Sequence, residues 1–141
     1  MLDHRTPTAR ELVPALLVLL AAAPSQAVAQ SGSAASFRVT PAATLKQALR
    51  STAAAQARFR ADNGRYATSF GELRLRLQPE VAVEVVAATA SGWQARAMHR
   101  YQPGKSCVIF VGALDGVEPP RTDGDREMAG EDGVPLCDRM R

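Results

Sequence analysis

The feature that most constrains this chain is a long run of helix formers with clear punctuation at both ends. Thr40 supplies a side-chain oxygen for an N-cap, and Pro41 suits the first helical position. From Ala42 to Asp62 there is neither glycine nor proline, and alanine is frequent. Leu45, Ala48, Leu49, Thr52, Ala55 and Phe59 recur at three- and four-residue spacing, which makes one apolar face. Lys46, Arg50, Arg58 and Arg60 lie off that face. Asn63-Gly64 stops the helix, because both residues tolerate the left-handed conformation. Ser69 can cap a short turn through Phe70-Gly71-Glu72-Leu73.

The chain from Val81 to Val111 reads as three strands. Val81 to Ala87 is β-branched. Trp93 to Arg100 alternates, with Trp93, Ala95, Ala97 and His99 on one face, and His99 also suits a strand end at the solvent edge. Cys107 to Val111 is a short apolar run. Ser91-Gly92 and Gln102-Pro103-Gly104 separate these segments, and the connections are too short for crossover helices. The expected fold is therefore α+β: a long N-terminal helix packed on a three- or four-stranded antiparallel sheet. Beyond Gly112, Glu118-Pro119-Pro120, Asp123-Gly124-Asp125 and Glu131-Asp132-Gly133 signal loops. The expectation there is a loose tail, pinned only where Cys137 returns to the third strand.

Met1 to Glu11 is polar, Leu12 to Ala23 is apolar, Pro24 ends the run, and Ala27-Val28-Ala29 comes next. That is the layout of a secretory signal over residues 1–29, with Gln30 as the new N-terminus. The apolar stretch is shorter than the ~20 residues a spanning helix needs. The other reading is an uncleaved apolar anchor from Leu12 to about Ala29. Residues 30–40 begin with the small, polar Gln30–Ser36 and read as a flexible leader, leaving 41–141 as the globular domain. The expected location is exported, periplasmic or extracellular, or membrane-anchored if the segment is kept. Two cysteines in an exported chain read as one disulfide, Cys107–Cys137. Closing a loop of that length is worth about 3–4 kcal/mol in the chain-entropy picture.

Charge is unevenly placed. Residues 38–105 carry a net +7 and residues 106–141 a net −4. No GxSxG, HExxH, P-loop or GxGxxG pattern occurs. His99 is the one histidine beyond residue 29, so a hydrolytic site would have to be built on it. Without a nucleophile motif it reads as structural, and no enzyme is expected. Trp93 and Tyr66 suit either a ligand groove or the end of a small core, and packing is the stronger reading where aromatics are scarce.

Several segments together are familiar. Gln56 to Leu73 (QARFRADNGRYATSFGEL) resembles the element after the long helix of type IV pilins and pseudopilins. Ser91 to His99 resembles a pilin-like strand, Ser106 to Gly112 the strand after it, and Gly133 to Asp138 the disulfide-closed C-terminal region. The resemblance covers about residues 41–138. The N-terminus departs from it: Thr6-Pro7 stands where that family has a small residue followed by Phe or Met, and Pro14 and Pro24 interrupt the apolar run. The resemblance implies a non-enzymatic subunit of a type IV pilus or type II secretion assembly, whose partners are proteins, including other pilin-like subunits. The alternative is a soluble periplasmic binding module that kept the fold without forming filaments.

Some pseudopilins hold calcium in the C-terminal loop. Here Asp123, Asp125 and Glu127 alternate and offer hard oxygen ligands. The spacing departs from a twelve-residue calcium loop, which would place Val134 where a glutamate is needed. A solvated acidic loop is the expectation, with no cofactor. Arg58, Arg60, Arg65, Arg74 and Arg76 form a basic cluster able to meet phosphates. Few aromatics interleave with it, so nucleic acid is not the expected partner. Pairing with the acidic tail, in the same molecule or a neighbour, is.

Overall fold

The structure, a computed structural model, describes residues 38–141. The expected export segment 1–29 and residues 30–37 of the leader lie outside the described residues.

The one long helix among the described residues, α1, runs Pro41–Asn63. Its start is capped as the sequence requires: the Thr40 hydroxyl oxygen accepts from the Ala43 N–H at 3.2 Å. Its end is a left-handed residue, Gly64 at φ 71°, whose N–H reaches the Arg60 carbonyl at 2.8 Å. The buried face comprises Leu45, Ala48, Leu49, Thr52, Ala55 and Gln56. Gln56 replaces Phe59 in the expected stripe, and Phe59 is only half-buried. The reason lies in the returning chain. The Gln56 side-chain amide donates to the Ala67 carbonyl at 3.0 Å and accepts from the Ala67 N–H at 2.8 Å. A side-chain amide thus pairs with a buried backbone amide that no strand or helix satisfies. It fixes the loop from Gly64 to Ala67 against the helix.

A 3₁₀ turn, Phe70–Leu73, comes next. The Glu72 carboxylate accepts from the Thr68 and Ser69 N–H groups and pairs with Arg65 at 2.6 Å. The Arg65 bond and those N–H groups hold its pKa down to about 2.

Four strands then form one antiparallel sheet in the order β1-β2-β3-β4: Val81–Ala88, Gly92–His99, Ser106–Gly112 and Leu136–Cys137. The first three make the expected meander. The β1–β2 corner is tight because Gly92 lies under the next connection. A Cβ there would meet the Val111 and Ala113 carbonyl oxygens at 2.6 and 2.5 Å.

Trp93, Ala95 and Ala97 share the face that α1 covers, as their alternation requires. Leu45, Leu49, Tyr66, Cys107 and Ile109 complete that core. The two alanines of β2 are fully buried, so small side chains let the helix backbone approach the sheet while Trp93 fills the space at one end. Leu45 and Leu49 are fully buried and contribute on the order of 2 kcal/mol each.

Replacing Gln56 with alanine removes both bonds to Ala67 and strands a buried N–H and C=O. Loss of about 2–4 kcal/mol in unfolding free energy is expected, read from urea denaturation of the oxidised protein. A change under ~0.5 kcal/mol would show that the loop does not depend on this pairing.

Candidate functional site

The face of the sheet away from α1 carries Gln94, Arg96, Ser106 and Val108, and the C-terminal segment covers it. Leu114, Thr122 and Ala129 of that segment are buried, and Arg121 pairs with Met128 in an isolated bridge. The expectation of a loose tail is therefore corrected. The tail is stitched to the sheet by directed bonds as well as by the disulfide.

Asp138 is the centre of that stitching. It directly follows Cys137, which is bonded to Cys107 and paired with it across β3 and β4. The Asp138 carboxylate is 3% exposed and accepts from three backbone N–H groups: Ser106 and Gly124 on one oxygen, at 2.8 and 2.9 Å, and Asp125 on the other, at 2.6 Å. Burial alone would raise its pKa. The N–H groups of Asp125, Gly124 and Ser106, with the Thr122 hydroxyl, outweigh burial and hold it below the usual carboxylate range. Sequence reasoning passed over Asp138, because a carboxylate aimed at backbone leaves no spacing pattern.

Arg96 makes the second fastening. It pairs with Glu84 of β1 at 2.7 Å and with Asp123 of the tail at 2.8 Å. The Glu84 bond, then Asp123, raises its pKa against the opposing effect of burial. Asp125 reaches Lys105 at 3.3 Å and accepts from the Arg139 N–H at 2.8 Å, and that backbone bond, ahead of Lys105, lowers its pKa.

These bonds engage two of the three residues weighed for calcium. Asp123 faces Arg96 and Asp125 faces Lys105, while the Glu127 side chain is exposed and its backbone N–H donates to Thr122. Among the described residues, no group of three or more His, Cys, Asp or Glu side chains is placed to share a metal ion.

His99 ends β2, 9% exposed, with its Nδ1 accepting from the Tyr101 N–H at 3.3 Å and its ring 5.5 Å from the Tyr101 ring. That bond ties one ring nitrogen into the turn that follows β2. Trp93 and Tyr66 are both in the core.

The five-arginine cluster divides. Arg60 donates to the Tyr66 hydroxyl at 2.6 Å and lies over its ring; Arg65 pairs with Glu72 and lies over Phe59. Arg58, Arg74 and Arg76 remain exposed. No helix of the described residues is long and apolar enough to cross a membrane. No family model, no curated protein and no solved structure matches this chain.

Changing Asp138 to asparagine leaves one acceptor oxygen for three N–H donors. Loss of about 2–3 kcal/mol at neutral pH is expected. Because the folded pKa is depressed, the wild type holds this advantage above the ordinary aspartate range. It loses the advantage as pH falls through the lowered folded value. Urea midpoints of both proteins across acid pH check this, and a gap that does not close towards low pH would sink the account.

Proposed function

We propose that this chain is an exported pilin-like or pseudopilin-like subunit that works by protein–protein contact and not by catalysis. The observation that carries this is one capped helix on an antiparallel meander, with the C-terminal segment closed onto β3 by Cys107–Cys137. It matches the order of parts that the sequence resemblance over residues 41–138 implies. A disulfide suits an oxidising compartment, and the tripartite N-terminus supports export to the periplasm or beyond. The tail, tied down by Asp138 and Arg96, offers a rigid surface, and rigid surfaces lose less entropy on binding.

A second reading, a soluble periplasmic binding module of the same fold, is favoured by Pro14 and Pro24 in the apolar segment and by the Ala27-Val28-Ala29 site.

Intact mass of the protein recovered from its native compartment separates the two. The subunit reading expects a chain that keeps Leu12 to Ala29 in the membrane fraction and cross-links to pilin-like neighbours. A soluble chain starting at Gln30 supports the binding module. A full-length cytosolic chain with reduced cysteines would overturn both.

A further inference from the structure

The side of α1 turned away from the sheet is cationic and built on small residues. Ala43, Gln47, Ala54, Ala57 and Ala61 are exposed there. Lys46, Arg50 and Arg58 fall on the same side, at steps of four and eight residues along one slanting ridge of the helix. At 1.5 Å per residue that ridge is roughly 18 Å long. The chain after the helix adds two more cations. Arg74 shares a depression with Arg58, and Arg76 shares another with Ala43 and Gln47, so both stand along the flank of the ridge.

Lys46 is half-buried and the four arginines are exposed. Among the described residues none of the five has an ion-pair partner. Residues 38–79 carry eight basic and two acidic side chains, net +6. Of the two acids, Glu72 is already paired with Arg65, which leaves Asp62 near the end of the helix. Like charges gathered on one surface repel one another, and an external anion relieves them. Arg74 also sits at φ 51°, a left-handed position where glycine would cost less.

Three features choose the class of anion. The cations are strung along a helix and its flank and do not converge on one cleft, which suits an extended layer of negative charge. Alanines stand between them, so the long side chains can reach outward past the helix surface while their stems lie on it. Val39 is 71% exposed and lines the depression beside Arg76 and Leu77, which sets an apolar side chain at the rim of the cationic surface. Bases would find nothing to stack on: Tyr66 is buried, Phe59 is half-buried, and the exposed Tyr101 stands in the turn after β2.

We infer that this side of the molecule docks on an anionic lipid surface, with Lys46, Arg50, Arg58, Arg74 and Arg76 meeting headgroup phosphates and Val39 entering the headgroup layer. The contact is peripheral and uses no residue of the apolar run Leu12 to Ala23. It therefore goes beyond the reading above and applies equally to an anchored subunit and to a soluble module. Each cation held near an anionic bilayer strengthens binding roughly five-fold.

Co-sedimentation with vesicles tests this on the oxidised protein as recovered from its exporting host. Vesicles of mixed phosphatidylglycerol and phosphatidylcholine are compared with phosphatidylcholine alone, at low and high salt. The wild type is expected to bind the phosphatidylglycerol vesicles more tightly, and added salt to weaken that binding. Arg50→Gln with Arg58→Gln, and separately Arg74→Gln with Arg76→Gln, are each expected to weaken it ~10-fold or more. Arg100→Gln with Arg139→Gln removes the same charge away from α1 and is expected to leave binding within about two-fold. Circular dichroism and an intact disulfide establish that each variant is folded. Equal binding to both vesicle types, insensitive to salt and to the α1 variants, is what a retained apolar segment alone would give, and it overturns the inference. Loss as large in the Arg100 and Arg139 variant overturns it in favour of net charge alone. A wild type that binds no vesicle, but is retained on a duplex oligonucleotide or on polyglutamate through these arginines, overturns it in favour of a soluble polyanion. None of these outcomes bears on the mature N-terminus or on cross-linked neighbours, so the subunit and module readings stand or fall separately.

Discussion

A four-stranded sheet has two faces, and among the described residues one long helix is there to cover them. α1 takes the face of Trp93, Ala95 and Ala97, where alanines admit the helix closely. The opposite face, with Val108 and Gln94, would meet water if nothing else reached it. The C-terminal segment covers it although it has little regular structure of its own. Backbone laid over a sheet without strand pairing must find hydrogen-bond partners elsewhere. Asp138 supplies them for Ser106, Gly124 and Asp125, and Thr122 and Ser106 supply hydroxyl acceptors for Glu127 and Asp123. The disulfide at Cys137 brings that carboxylate to β3 and limits the freedom of the unfolded chain.

The same device is used on a smaller scale after the helix. Gln56 satisfies the Ala67 amide as Asp138 satisfies three N–H groups. In both places an irregular segment is held by one buried side chain, and the connections between elements stay short. Glu72 does comparable work at the surface, where water competes and the contribution is smaller.

Pairing also redistributes charge. Arg96, Lys105 and Arg65 neutralise Asp123, Asp125 and Glu72 within the molecule. The net charges of the two halves in sequence therefore overstate what a partner meets. Among the described residues, Arg58, Arg74 and Arg76 beside the helix are among the exposed charges left without an ion-pair partner.

The helix from its Thr40 cap to its Gly64 stop, the three-strand meander and the Trp93–Ala95–Ala97 face were legible in the sequence, because capping and periodicity are local properties written in neighbouring residues. The Cys107–Cys137 pairing was legible because there were only two cysteines to pair. The order of the tail was not, and the loop-forming dipeptides between Glu118 and Gly133 suggested the opposite. Nor was the burial of Gln56 or the division of the arginines into engaged and free. Each depends on which backbone groups a distant segment leaves unsatisfied, and those partners lie between 11 and 32 residues away in sequence for Gln56 and Asp138. The sequence by itself determined where the helix and the first three strands lie, to within about a residue, and which face of the helix and of β2 is buried. Only the tertiary structure decided which polar side chains serve the fold and which remain for a partner, because that choice is made by hydrogen-bond geometry between segments that local pattern does not connect.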